Sequence, residues 1–403
     1  MNYNETLNYI HSLENFGLEP TLDRIKNVLK KLGNPQNDFP AVHIAGTNGK
    51  GSVSAMLHSI FKTAGKKTGL FISPFIIDFC ERIQINGEFI PSDALVRLSQ
   101  KVIDTKIKLT QFEFITAVAF LWFSEQKCDI AVIETGLGGR LDATNSLTRV
   151  LACVITKIGL DHTAVLGDSI EQITKEKCGI IKEAPVIISG NQPKEALQIL
   201  KQYEPVIPNE KGLTILKSDI FGNRYLYDGC EFETALSGEY QIENSLIAIE
   251  TAKKLNIPLE VIKNGIKTAQ FPARMEVISQ QPLVVLDGAH NPDGAQVLSR
   301  MMENYKGKIT AVIGMCKDKN CEEVLAKTLP YCKRAVAVEV KNFPRALKSE
   351  DLKIMAQKYC PCEAFDSYEN ALESIKGQDV IFVFGSLYLA SDMREKLKNF
   401  FKR

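Results

Sequence analysis

Short runs of β-branched and aliphatic residues alternate along most of this chain with longer stretches whose apolar positions recur at helical spacing. From about residue 40 onward, the runs 41–45, 68–72, 130–134, 150–158 and 186–189 read as strands. Four more follow at 283–286, 310–313, 335–340 and 380–384. Several are apolar throughout, as strands covered on both faces of a parallel sheet are. The helical stretches between them are 52–64, 92–106, 114–126, 243–255, 292–304, 321–329 and 349–358. Such alternation predicts an α/β fold with mostly parallel, doubly wound sheets. Residues 205–240 are rich in turn residues and predict an antiparallel addition to the first domain. A helical region closes at Phe271-Pro272-Ala273-Arg274, and a new strand–loop–helix series opens at Leu283. The expected division is therefore a larger domain, 1–274, and a smaller α/β domain, 275–403.

Composition narrows the function classes. The 403 residues carry 49 Lys and Arg against 48 Asp and Glu, a formal net charge of +1. That balance lacks the basic excess by which DNA, RNA or anionic membranes are gathered. A small anionic ligand is not excluded, since it needs only a few aimed donors. The longest apolar run, Ile115 to Phe123, is far short of the roughly 20 residues that span a bilayer. Met1 to Leu18 mixes Asn, Glu and His with apolar residues and is not expected to be a secretory signal. The ten Cys include no CxxC pair, and Cys360-Pro-Cys362 has no His nearby, so no zinc site is expected. A reduced, cytoplasmic protein is the expectation.

Chemistry concentrates where predicted strands end. Gly46-Thr47-Asn48-Gly49-Lys50-Gly51-Ser52 follows the first strand and opens a helix, the setting of a phosphate-binding loop. Lys50 would meet the β- and γ-phosphates, and the Ser52 hydroxyl would reach a metal ion. The general GxxxxGK[ST] spacing is not kept, because Gly51 intervenes between Lys50 and Ser52. Glu134, at the end of another strand, begins Glu134-Thr-Gly-Leu-Gly-Gly-Arg140-Leu-Asp142-Ala-Thr-Asn145 and is placed to hold Mg²⁺. His162, in Gly159-Leu160-Asp161-His162-Thr163, is a third polar group expected at the same edge. Lys177, in Lys175–Ile180, reads from periodicity alone as part of a solvated charged helix face. In the second domain, Asp287 and His290 of Leu286–Pro292 end a strand before a helix and are placed to contact a nucleotide between domains. Gly314–Lys319 is a further source of cations.

Together these strings resemble the folylpolyglutamate synthase/dihydrofolate synthase family of the Mur-ligase superfamily. The likeness runs in order through EPTLDR (19–24), HIAGTNGKGS (43–52), FISPF (71–75), ERIQINGE (81–88), FEFITAVAF (112–120), ETGLGGRLDATN (134–145) and LDHT (160–163). It continues through EKCGI (176–180), GEYQIEN (238–244), DGAHNP (287–292) and FGSLYL (384–389). The intervening Gly51 is this family's own form of the loop.

The resemblance implies a P-loop-type, mostly parallel first domain and a Rossmann-like second one. It implies ATP contacts from Gly49, Lys50, Gly51, Ser52, Asn244, Arg274 and Asp287, and Mg²⁺ ligation by Ser73, Glu134 and His162. Lys177 matches a lysine that the family carbamylates, which replaces the solvated-face reading. Lys50, Lys177 and His162 are the expected catalytic residues. Folate or pteroate contacts are expected from Leu22, Asp23, Arg24, Phe112, Glu113, Leu141, Asp142 and Ala143. Two positions depart from the pattern. Phe75 stands where the family often has His, and Ala273 replaces the Gly of Pro-Gly-Arg, where Ala is expected to avoid positive φ.

The implied activity is ATP-dependent ligation of L-glutamate to the carboxylate of a reduced folate through an acyl phosphate, in a cytoplasmic monomer. The alternative is joining L-glutamate to dihydropteroate, alone or in addition. A peptidoglycan-type amino-acid ligase is disfavoured by GTNGKGS and DGAHNP. A non-catalytic nucleotide-binding regulator predicts loss of Lys50, Glu134 or Lys177, and all three are present.

Overall fold

In the computed structural model, which describes residues 1–13, 21–75, 78–317, 319–341 and 343–401, the strand-forming runs gather into three sheets. Glu19 and Pro20 of the first quoted string, and Asp318, lie outside the described residues. The first sheet holds β1 (Ala41–Ala45), β2 (Thr68–Phe71), β3 (Ile83–Ile85), β4 (Glu88–Phe89), β5 (Ile130–Glu134), β6 (Val150–Ile155) and β7 (Val186–Ile188). Their spatial order is β4-β3-β2-β5-β1-β6-β7. The run β2-β5-β1-β6-β7 is parallel, and β3 and β4 extend it antiparallel.

Every residue of β1 and β5 is buried, because both faces of the sheet are covered. Val42, Ile44 and Val132 point to one face, where they pack with the helices Lys50–Thr63, Glu239–Lys254 and Leu259–Thr268. Ala41, Ala131 and Ile133 point to the other, against Asp23–Lys31 and Gln111–Glu125. This is the period-2 alternation of a strand buried on both sides. After β1 the chain crosses to β2 on one side, and β6 later pairs on the other. The crevice beyond the carboxyl ends of β1, β5 and β6 is thus the switch point where open α/β sheets bind ligands.

The expected antiparallel addition is present as β8 (Leu213–Asp219), β9 (Gly222–Tyr227) and β10 (Cys230–Thr234). Tyr225, Tyr227 and Phe232 seat it on the core beneath the Glu239–Lys254 helix. The last sheet orders as β11-β12-β16-β13-β14-β15. Its strands are β11 (Glu276–Gln280), β12 (Leu283–Leu286), β13 (Ile309–Ile313), β14 (Cys332–Val338), β15 (Cys362–Phe365) and β16 (Val380–Phe384). All its pairings are parallel except that of β11 with β12. All ten cysteines are free, and among the described residues no helix is long and apolar enough to cross a membrane.

The boundaries differ from the sequence reading for local reasons. β6 stops at Ile155 instead of 158, because the Lys157 carbonyl turns away to accept the N–H groups of Thr47 and Asn48. The helix expected at 114 starts at Gln111, since Thr110 and Glu113 form a capping box ahead of the apolar run. Ala273 does not avoid positive φ: it sits at +51°, as does Met275. A left-handed alanine costs about 1 kcal/mol. Here the backbone is held by Gly288 N donating to the Ala273 carbonyl, by Ala273 N donating to Glu276, and by full burial of the methyl group.

Gly265 brings the Leu259–Thr268 helix against the helix that carries the phosphate loop. A Cβ at Gly265 would lie 2.5 Å from the Ile60 Cα. Alanine improves helix propensity by about 1 kcal/mol, but overpacking against backbone costs roughly 1–3 kcal/mol. Gly265→Ala should therefore lower the urea midpoint of unfolding. An unchanged or raised midpoint would show that the two helices separate at no cost.

Candidate active site

β1 ends at Ala45, and Gly46–Ser52 turn from the sheet edge into the Lys50–Thr63 helix. The turn is fixed by Thr47 and Asn48 donating to the Lys157 carbonyl at 2.9 and 3.1 Å. Thr47 Oγ1 also donates to the Gly159 carbonyl and accepts from Gly159 N. Gly49 precedes the helix at φ +92°, and a Cβ there would lie 2.3 Å from Asn244 Oδ1. Glycine is thus required both by conformation and by the passage of Asn244. The first helical turn carries no acidic residue, so its free N–H groups present an unopposed positive end. Ser52 lies buried within that turn.

Two lysines meet at this loop. Lys50 Nζ donates to the Gly46 and Thr47 carbonyls at 3.0 and 3.2 Å, and Lys177 Nζ donates to the same Gly46 carbonyl at 2.8 Å. Lys177 is only 4% exposed, so the solvated-face reading of this residue is wrong, although its neighbour Lys175 is exposed. Burial, and then the charge of Lys50, push the Lys177 amine down to about 7.

The Glu134–Asn145 loop sets that lysine in place. Gly139 and Gly179 let two backbones touch, since a Cβ on Gly139 would lie 2.8 Å from the carbonyls of Glu176 and Lys177. Arg140 N donates to the Glu176 carbonyl, its guanidinium grips the Glu176 carboxylate at 2.8 and 3.0 Å, and Asn145 Nδ2 bridges the Arg140 and Gly179 carbonyls. Asp142, expected on the folate side, spends its buried carboxylate inside the loop, on the N–H groups of Gly136, Leu137 and Thr144 and the Thr144 hydroxyl.

Glu134 closes β5 at the same edge. Its carboxylate is 4% exposed and accepts from Ser73 N at 3.2 Å, just beyond the end of β2. Burial raises it to about 7, against the opposing pull of Lys50, Arg274 and Arg82. Among the described residues no group of three or more His, Cys, Asp or Glu forms a cage. One desolvated carboxylate beside Ser73 suits a hard cation that keeps waters and takes phosphate oxygens, as Mg²⁺ does.

His162 sits at φ +50°, its side chain is 56% exposed, and its ring lies 3.7 Å from Asp161. Asp161 was missed by the sequence reading, yet its charge bears on both Lys177 and His290. Arg82 was missed too, and it bears on Glu134. Asp161 stands beside His162 after a predicted strand end, so its signal was available, whereas Arg82 in the ERI string follows no predicted strand.

From the second half, Asp287 follows β12 and accepts from Met275 N and Ala289 N at 2.8 and 2.7 Å, with Arg274 nearby. Arg274 stacks over Phe271 at 5.7 Å, and Phe271 covers Gly51. Asn244, bonded to Gln241, closes the other side of the loop. His290 turns its Nδ1 to the Gly288 carbonyl. Gly49 is thus linked to Asn244, and Gly51 through Phe271 and Arg274 to Asp287.

Of the expected folate-side residues, Arg24 and Glu113 form a forked ion pair at 3.1–3.2 Å, joining two helices. Phe112 lies against Gly136 and Phe71. Leu22 and Ala143 belong to the core beneath them, Leu141 is half-buried, and Asp23 is exposed.

The Mur ligase middle domain family matches residues 44–252, and the Mur ligase glutamate ligase domain family matches residues 273–387. The chain is 36% identical to a dihydrofolate synthase/folylpolyglutamate synthase of Bacillus subtilis, over 98% of this chain and 99% of that protein. It is 34% identical to a folylpolyglutamate synthase of Lacticaseibacillus casei with the same coverage. Among solved structures, Escherichia coli FolC in complex with DHPP and ADP superposes with a TM-score of 0.87 at 27% identity, covering 99% of this chain and 98% of that one.

The raised Glu134 carboxyl has a consequence for stability. The folded protein holds this proton up to about pH 7, the unfolded chain only to the ordinary carboxyl value of 4.5. Stability should thus fall as pH rises between these values, by up to about 3 kcal/mol from this group. In protein without metal or nucleotide, Glu134→Gln should gain over wild type as pH rises from 5 to 8, read by denaturant unfolding. A constant difference across that range would contradict it.

Proposed function

Because the chain belongs to the Mur-ligase family of folylpolyglutamate and dihydrofolate synthases, which are ATP-dependent ligases, we propose that it joins L-glutamate to the γ-carboxylate of a reduced folate. Joining L-glutamate to dihydropteroate is the second reading, favoured by the B. subtilis relative's double name and by the E. coli neighbour that holds DHPP. The observation that carries the proposal is the convergence of Lys50, the free N-terminus of its helix and the desolvated Glu134 on one sheet edge.

In this reading the acceptor carboxylate attacks the γ-phosphorus of ATP, giving an acyl phosphate and ADP. The amine of glutamate then attacks the acyl carbon, and the tetrahedral adduct expels phosphate. Lys50 leaves its loop carbonyls for the β- and γ-phosphates, the N–H groups of Gly49–Ser52 receive phosphate oxygens, and Arg274, Asp287 and Asn244 hold the nucleotide. These groups act by position and charge on oxygens whose charge shifts during transfer. Glu134, Ser73 and, after movement of its exposed loop, His162 would hold Mg²⁺. When bound, the ion supplies charge neutralisation and orientation of the γ-phosphate.

Lys177 is assigned a carbamate. A neutral amine attacks CO₂ and releases a proton, and an amine lowered to about 7 is substantially neutral under ordinary conditions. The product is an anion beside Lys50, which removes the repulsion between two ammonium groups. Leu22, Asp23, Arg24, Phe112, Glu113, Leu141 and Ala143 are proposed to border the pteridine, with Asp142 shaping the loop from within. The nucleotide then lies between domains 1–274 and 275–403, a division supported by the last sheet, β11–β16, being separate from the other two. We infer a monomer, placed in the cytoplasm, where ten free thiols are kept reduced.

Purified protein should release ADP only when Mg²⁺, a pteridine acceptor and L-glutamate are all present. Tetrahydrofolate and dihydropteroate, tried separately, decide the acceptor, and no turnover with either would refute the ligase reading. Lys50→Ala should lower kcat by about 10²-fold or more. Lys177→Ala should be inactive and partly restored by acetate or another short carboxylate, whereas full activity without rescue would remove the carbamate role.

A further inference from the structure

Arg274 is carried on a turn that is strained at both of its neighbours. Ala273 and Met275 each sit in the left-handed region at φ +51°. Neither is glycine, so each bears a steric penalty there. Both side chains are buried, and they join different cores of the β11–β16 sheet. The Ala273 methyl belongs with Leu286 and Val383, and Met275 belongs with Val285 and Leu298. Residues 285 and 286 are successive in β12 and so face opposite sides of the sheet. Between these two anchors Arg274 stacks over Phe271, and its charge bears on Glu134, Tyr240 and Asp287.

Main-chain groups hold part of the turn. Gly288 N donates to the Ala273 carbonyl at 2.9 Å, and Met275 N donates to Asp287 at 2.8 Å. Ala273 N donates instead to a side chain, Glu276 Oε2, at 3.0 Å. That carboxylate is itself gripped from the far end of the chain, by Arg394 of the helix Leu387–Phe401. Arg394 Nε lies 2.9 and 2.8 Å from the two carboxylate oxygens, and Nη2 lies 2.7 Å from Oε1. The two side chains are only 16% and 19% exposed, so water screens the pair poorly. Lys398 Nζ, 4.0 Å from Oε1, adds a second positive charge, and Arg394 Nη1 turns away to Glu395. A carboxylate so fixed cannot follow Ala273 if that residue relaxes to negative φ. Relaxation would break the Ala273 N–H bond and re-aim the next residue, Arg274.

We propose that the Glu276–Arg394 pair is a positioning device for the nucleotide site: it holds Ala273 left-handed and thereby aims Arg274 at ATP. This rests on the reading of Arg274 as an ATP contact and adds two residues that act through it. The hold matters in this chain because residue 273 is alanine. Glycine takes positive φ without penalty and needs no such restraint.

The test measures Kd for a nonhydrolysable ATP analogue with Mg²⁺ on full-length variants. Glu276→Ala should weaken binding by roughly 10-fold, the loss of a hydrogen bond to a charged group. Ala273→Gly alone should stay within about twofold of wild type. Joined to Glu276→Ala, it should bring binding back to within about threefold, so the two changes are strongly non-additive. Arg394→Met, which leaves the carboxylate without its fork, should show the same loss and the same recovery, and serves if Glu276→Ala does not fold. Lower folding stability with wild-type affinity would overturn the proposal by leaving the pair a structural role alone. An equal loss with and without Ala273→Gly would overturn it too, since the pair would then act by a route other than residue 273. If wild type itself does not bind the analogue, the nucleotide reading fails first and this inference falls with it.

Discussion

Two lysine side chains end on one carbonyl oxygen, that of Gly46, and the rest of the site is arranged around this crowding. Like charges so close and so poorly hydrated are tolerated only if one of them gives up its proton or an anion arrives. Lys177, the more buried, is the one that yields. Across the same edge Glu134 has the opposite problem, a carboxylate out of water that holds its proton unless cations approach it. The site is thus poised between protonation states, and an arriving anion together with a cation would relieve both tensions.

Little of this depends on bulk charge. The chain is almost neutral, while the candidate site gathers a helix N-terminus without acidic residues, Lys50 and, beside Asp287, Arg274. Neutrality argues against a polyelectrolyte partner and is silent about a crevice lined with aimed donors. Placement does the selecting: β1 leads into the glycine-rich loop, and β5 ends on the Glu134 carboxylate beside it.

Much of the architecture was legible in the sequence because buried parallel strands write themselves as continuous apolar runs. β1, β5, β12 and β16 fell where those runs did. Strands β3, β4, β11 and β15 did not, being short or mixed in polarity, and they are fixed by neighbours more than by pattern. At the site, Lys50 and Glu134 were readable because each follows a strand. Lys177 was not readable from periodicity, since its burial comes from a distant glycine-rich loop folding over its helix. Asp142, by contrast, binds N–H groups of its own loop, a role no pattern in the string announced.

The central claim is that a carboxylate is activated by phosphorylation on the β1–β5 edge before the amine attacks. The direct measurement uses an acceptor whose carboxylate carries ¹⁸O in both oxygens, with the inorganic phosphate analysed after turnover. The account predicts transfer of one labelled oxygen to phosphate for each amide bond formed. Phosphate free of label, with amide product accumulating normally, would contradict it.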